Sequence, residues 1–391
     1  MLTVVRTLAA ALLVFAGPAA EPIRDQQQWV LDALNVEQAW NVTKGAGVTV
    51  AVVDSAVDGQ VKELRGRVTE GPDMSSGVTS RVVAPGRHGT AMAGLIAGSG
   101  AENGFVGVAP EARILSLPLV VDGEPDLGNA PLQGEQPTAE SPLARALRYA
   151  ANHGAQVVSM SIGSYGALRS EREAVSYALG KGVVLVAAVG NDGQTTYAKE
   201  KSTSYWSFPA GYPGVIGVAA TDKQGRRAPF SSDNLSVLVS APGMEVPVVK
   251  RGTGYELSEG TSSAAALVSG VAALIKARHP GLPPEQVAQA LAMSGRGRPA
   301  AGYDDQTGYG VVDAAAALNA ADRLTGARRT VEPGMEHFGQ GEDSPMPSRP
   351  GPDPLRLGLY GGGVLLALVT FCGAIVILNQ RKSDEHRQRN E

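Results

Sequence analysis

Four stretches each set one reactive or polar side chain among small and apolar neighbours. They are VAVVDSAVDG with Asp54, RHGTAMAGLIAG with His88, AAVGNDG with Asn191 and GTSSAAALVSG with Ser262. Each has an ordinary account when taken alone. Asp54 suits a turn, His88 and Ser262 suit helix starts, and Asn191 fits an Asn-Asp-Gly turn. Together their chemistry is complementary. A serine hydroxyl is a weak nucleophile until a neighbouring imidazole takes its proton. The imidazole in turn needs a carboxylate to fix its tautomer and stabilise its cation. A tetrahedral intermediate needs donors aimed at its oxygen, which the Asn191 amide and the Ser262 backbone N–H at a helix start can supply. The small residues after Ser262 let that helix start pack closely beneath a substrate.

Elimination favours His88 as the base among the five histidines. His337 falls in a Pro/Gly-rich stretch and His386 in the C-terminal tail. His153 and His279 end helical patterns, where a cation complements the helix dipole. His88 alone stands at a helix start facing the expected binding edge.

That edge follows from the elements around the four residues. VTVAVVD (48–54), RILSLPL (113–119), QVVSMS (156–161), GVVLVAAV (182–189) and VIGVAA (215–220) read as buried parallel strands. Helical patterns at 88–99, 141–153 and 171–182 alternate with them. The fold class is therefore α/β, a doubly wound mostly parallel sheet with helices on both faces. Beyond residue 245 the chain predicts a hairpin turning at Gly252–Gly254, a long helix from Ser262 and another from Pro284. In open α/β sheets ligands bind outside the carboxyl ends of the strands. Asp54 ends the first strand and Asn191 follows the fourth.

The rest of the chain bounds the setting. With 391 residues, 43% hydrophobic, there is enough chain for one large core. The net charge of −4 argues against a nucleic-acid partner. The single cysteine, Cys372, excludes an intrachain disulfide. Residues 1–20 have the layout of a signal peptide with cleavage near Ala19 or Ala20. Residues 357–378 carry no charge over a length that crosses a bilayer as a C-terminal transmembrane helix. Arg381 and Lys382 behind it favour a cytoplasmic tail, 379–391. Residues 326–356 are rich in Pro and Gly and read as a linker. Residues 21–325 form the folded body, held outside the cell membrane by a single span.

With these motifs in this order, the chain resembles the subtilisin family of serine proteases over roughly residues 46–318. VVSMSIG, FSS followed by SAPG, and GYGVVDAAAAL are further points of likeness. The resemblance implies a subtilisin-like peptidase domain over 47–325. It implies a triad of Asp54, His88 and Ser262, with Asn191 as the oxyanion-hole amide. It also implies that Ser161, Ile162 and Gly163 line a cleft where an extended peptide pairs as an added strand. Three positions depart from the family pattern: Ala56 for Gly, Ala91 for a second His and Ala266 for Pro. No cofactor is implied, and no ligand cluster supports the structural calcium that many relatives bind. An α/β-hydrolase is excluded, because G-T-S-S-A is not its G-x-S-x-G motif and its histidine must follow the serine.

Within the family the architecture is most similar to the mycosins, membrane-anchored subtilases of type VII secretion. That likeness implies an N-terminal extension, 21–46, packed on the body. It implies a secreted protein or peptide as substrate and type VII membrane components as partners. The alternative is a structural subtilase-fold subunit that stabilises a secretion complex, with catalysis dispensable.

Overall fold

In the computed structural model, residues 22–75, 84–119, 140–326 and 354–388 are described. The signal-peptide segment, nearly all of the linker and most of the polar segment 121–141 lie outside them. Contacts divide the chain into two units, Met1–Ala327 and Arg328–Glu391.

The first unit is built on strands that are apolar on both faces, as a sheet covered by helices on each side demands. In chain order its elements are α1 (Ile23–Ala33), α2 (Val36–Trp40), β1 (Thr49–Asp54), β2 (Val68–Glu70), α3 (Arg87–Ala97), β3 (Arg113–Pro118), α4 (Pro142–Asn152), β4 (Val157–Met160) and α5 (Arg169–Gly180). There follow β5 (Val184–Ala188), α6 (Thr196–Lys201), β6 (Ile216–Thr221), β7 (Val237–Pro242), β8 (Val246–Val249), β9 (Tyr255–Ser258), α7 (Thr261–Arg278), α8 (Pro284–Ser294) and α9 (Ala314–Gly326). Seven strands form one parallel sheet in the order β2-β3-β1-β4-β5-β6-β7, while β8 and β9 form the expected hairpin.

Alternate residues of the strands feed two cores. Val50, Val52, Val184 and Val186 pack with α3 and α7 on one face. Ala51, Val53, Leu185 and Ala187 pack with α4 and α5 on the other. The helix α7 is buried almost all round, from Thr261 to Lys276. A helix so enclosed cannot be amphipathic, which is why its sequence is a run of Ala, Val, Leu, Gly and Ser. It continues unbroken through the buried Ala266, where relatives of the expected family carry Pro.

The five expected strands all form, with bounds trimmed or shifted by one or two residues. Two further strands have no clear signal in the sequence. Three-residue β2 sits at the sheet edge with two exposed residues, too short for a hydrophobic period. In β7, VLVSAP, a buried serine and a terminal proline interrupt the pattern. The segment before β1 also folds. Gln27 bonds both ways with the Val106 backbone, and the Trp40 indole donates to Val108 O at 2.8 Å, so α1 and α2 dock on the body.

The second unit contributes α10 (Pro354–Gln388). Its stretch Leu359–Val376 has mean hydropathy 2.1 and is long and apolar enough to cross a membrane. The helix starts three residues before the expected span and runs on into the expected tail.

Candidate active site

Sheet register brings the chemistry together. In β1 and β4, Val53 lies beside Met160, so Asp54 and Ser161 leave adjacent strand ends. In β4 and β5, Met160 lies beside Ala187, which puts the turn carrying Asn191 at the next position along the same edge. Helix α7 begins over this edge with Thr261 and Ser262.

Asp54 is the buried end of an apolar strand, its side chain 1% exposed. Both of its oxygens lie 2.8 Å from His88 Nδ1, and Oδ1 also accepts from the Ser55 N–H at 2.6 Å. The imidazole itself is 43% exposed, so one face of the pair is sealed and the other is open to a reactant. The start of α3 is tied to the end of β1 by three bonds. Gly86 N donates to Ala56 O at 2.7 Å, Gly89 N to Ser55 Oγ at 2.9 Å, and Asp58 N to Thr90 Oγ1 at 2.9 Å. A side chain on Gly89 would run into the Ser55 carbonyl, so the residue after His88 must be glycine.

On the other side, Asn191 Oδ1 accepts from the Thr261 backbone N–H and from the Thr261 hydroxyl, both at 3.0 Å. With the oxygen so engaged, the amide donors are left for a ligand. The turn itself is held from below by the buried Ser232. Its N–H donates to Gly190 O and its hydroxyl accepts from Asp192 N, both at 3.0 Å. Gly260 precedes α7 with φ +154 and ψ 156, a region almost exclusive to glycine. Ser262 is half-buried in the first turn of α7. Its carbonyl accepts from Ser161 Oγ at 3.4 Å, which joins the β4 segment to the helix.

Of the other expected cleft residues, Ile162 packs partly into the α4–α5 core and Gly163 lies against the Ser207 side chain. The segment continues into a bridge in which Ser164 and Phe208 exchange backbone bonds at 2.9 and 2.8 Å. Tyr165 follows. Burial and the nearby Asp192 carboxylate push the pKa of its hydroxyl up to about 12.

The structure therefore joins Asp54 with His88, and Asn191 with the start of α7 and Ser161, all along one sheet edge. Two other histidines are engaged elsewhere. His153 stacks on Tyr149, and His279 Nε2 lies 2.5 Å from Asp322 Oδ1. Thr261 and Gly89 were not singled out in the sequence, though each adjoins a residue that was. In the sequence FSS is only a point of likeness, and the support that Ser232 gives the Asn191 turn is not legible there.

A parallel sheet with a buried Asp holding an open-faced His, and a serine in the first turn of a buried helix, matches a subtilisin-like fold, and family comparison agrees. The model of the Subtilase family, Peptidase S8, matches residues 45–310, and the chain belongs to that family. It is 36% identical to Mycosin-1 of Mycobacterium tuberculosis over 327 residues, covering 74% of this chain and 72% of the relative. It is also 36% identical over 319 residues to fervidolysin of Fervidobacterium pennivorans, covering 74% of this chain but only 43% of fervidolysin's length. Among solved structures, the MycP3 protease from the type VII (ESX-3) secretion system superposes with a TM-score of 0.61 at 30% identity. That match covers 74% of this chain and 87% of MycP3.

Proposed function

We propose that the protein is a serine endopeptidase, anchored by α10 with its body outside the cell membrane, that cuts a secreted protein or peptide in the setting of type VII secretion. The observation that carries the chemistry is the buried Asp54 carboxylate holding His88 Nδ1 at 2.8 Å. A carboxylate on Nδ1 selects the tautomer whose Nε2 accepts a proton.

In the proposed reaction Ser262 Oγ attacks the scissile carbonyl carbon and its proton passes to His88 Nε2. Asp54 stabilises the resulting imidazolium. The carbonyl oxygen, now negative, takes hydrogen bonds from the Asn191 Nδ2 amide and the Ser262 N–H, aided by the positive end of α7. Collapse breaks the C–N bond, and the leaving amine takes the proton from His88. Water then repeats the sequence on the acyl-serine and restores the hydroxyl. Ser161 to Gly163 supply backbone groups at the rim of the site, where an extended peptide adds as a strand.

Reaction of the full chain, held in detergent, with a fluorophosphonate probe tests this reading. We expect labelling at Ser262 that Ser262→Ala and His88→Ala abolish. A folded chain that takes no probe would sink the peptidase reading and favour a structural subunit of the secretion complex.

A further inference from the structure

Eight large hydrophobic residues are exposed among the described residues of the first unit, and four of them are Tyr165, Leu168, Tyr205 and Trp206. They belong to the two segments joined by the Ser164–Phe208 bridge. Tyr197, from α6, stacks on Tyr205 with ring centroids 3.7 Å apart, and Tyr165 meets Tyr205 edge-on at 5.8 Å. The rings therefore hold one another in fixed positions and lose little freedom on contact with a ligand. Contiguous exposed apolar surface of this kind marks an interaction site.

Its position says with what. Tyr165 lies two residues beyond Gly163 on the segment that lines the proposed cleft. Tyr197 stands in α6, the helix that follows the turn carrying Asn191. The aromatic rings are thus carried by the segments that continue both walls of the site. We infer that Tyr165, Tyr197, Tyr205 and Trp206 form a shelf that receives an aromatic or large aliphatic side chain of the bound polypeptide, a fixed number of residues from the scissile bond. The inference rests on the cleft reading above and adds to it a sequence preference beyond the cut itself. Offset stacking and edge contacts of a substrate ring on Tyr205 and Trp206 supply the recognition.

The full chain in lipid nanodiscs, given a diverse peptide library with cut sites read by mass spectrometry, tests the shelf. We expect aromatic and large aliphatic residues to be enriched about 5–10-fold at one position away from the cut. The double variant Tyr205→Ser/Trp206→Ser should abolish that enrichment and leave the pattern at other positions, while Tyr205→Phe/Trp206→Phe should retain it. No enrichment in the parent, or enrichment that survives the serine variant, overturns the inference. Fluorophosphonate labelling of the same sample separates the two failures, since a chain that labels but shows no such position fails only here. Should the chain neither label nor cut, anisotropy of two fluorescein peptides differing by Phe against Ala on the Ser262→Ala chain decides, and equal affinity overturns it. In nanodiscs of brominated phosphatidylcholine, quenching of tryptophan fluorescence that disappears with Trp206→Phe would put the shelf against lipid and overturn it as well.

Discussion

Asp54 and His88 meet through one buried carboxylate, whereas Asn191 and Ser262 are placed by backbone amides, a threonine hydroxyl and the start of a buried helix. In the first pair both carboxylate oxygens of one buried side chain meet the imidazole, which is 43% exposed, at a helix start tied to the end of β1 by hydrogen bonds. The second is distributed over Thr261, Ser232 and Ser161, so its geometry should survive the loss of any one of these side chains, though not a change at Gly260. Concentrated contacts make a site sensitive to a single change. Distributed contacts make it tolerant, except at the atom that reacts.

Substitutions on each side test that contrast. Ser262→Ala removes the proposed nucleophile, and peptide hydrolysis should fall by about 10⁶ in kcat. A variant that kept a tenth of the parent rate would take Ser262 out of the mechanism. Asp54→Asn keeps the shape but offers Nδ1 a donor as readily as an acceptor, so the imidazole adopts the wrong tautomer. We expect a loss of about 10⁴ in kcat, measured on the same peptide. Asn191→Ala, on the distributed side, should cost about 10²–10³ in kcat with KM little changed, because the amide acts on charge that develops only in the transition state. A matching rise in KM would instead make Asn191 a ground-state contact.

Two smaller effects separate the supports from the reacting groups. Gly89→Ala pushes a methyl into the Ser55 carbonyl where α3 joins β1, and should cost roughly 1–3 kcal/mol in chemical denaturation. Unchanged stability would mean that the His88 helix start can shift freely. Thr261→Val removes one of two donors from Asn191 Oδ1 and leaves the backbone N–H in place. The expected loss is about 1 kcal/mol, or roughly fivefold in kcat, and a loss as large as that of Asn191→Ala would end the view of a distributed half.

Much of this was legible without coordinates. A run such as VTVAVVD, apolar on both faces and ending in a carboxylate, announces a covered parallel strand that delivers a charge to the sheet edge. The small residues after Ser262 announce a helix packed on every side. The short edge strand β2 was illegible because three residues carry no period, and β7 because Ser240 and Pro242 disguise it. The aromatic shelf was illegible for another reason. Tyr165, Tyr197 and Tyr205 sit in three segments whose proximity no local pattern encodes.

The sequence by itself determined the family, the strand and helix order, and which residue types stand at the binding edge, because these depend on periodicity and on the side chain at each strand's end. Only the tertiary structure decided that both Asp54 oxygens face His88 Nδ1, that Thr261 turns the Asn191 amide, and that the rings of Tyr165, Tyr197 and Tyr205 meet. Those facts depend on sheet register and on the approach of segments far apart in the chain, which follow from the packing of the whole core.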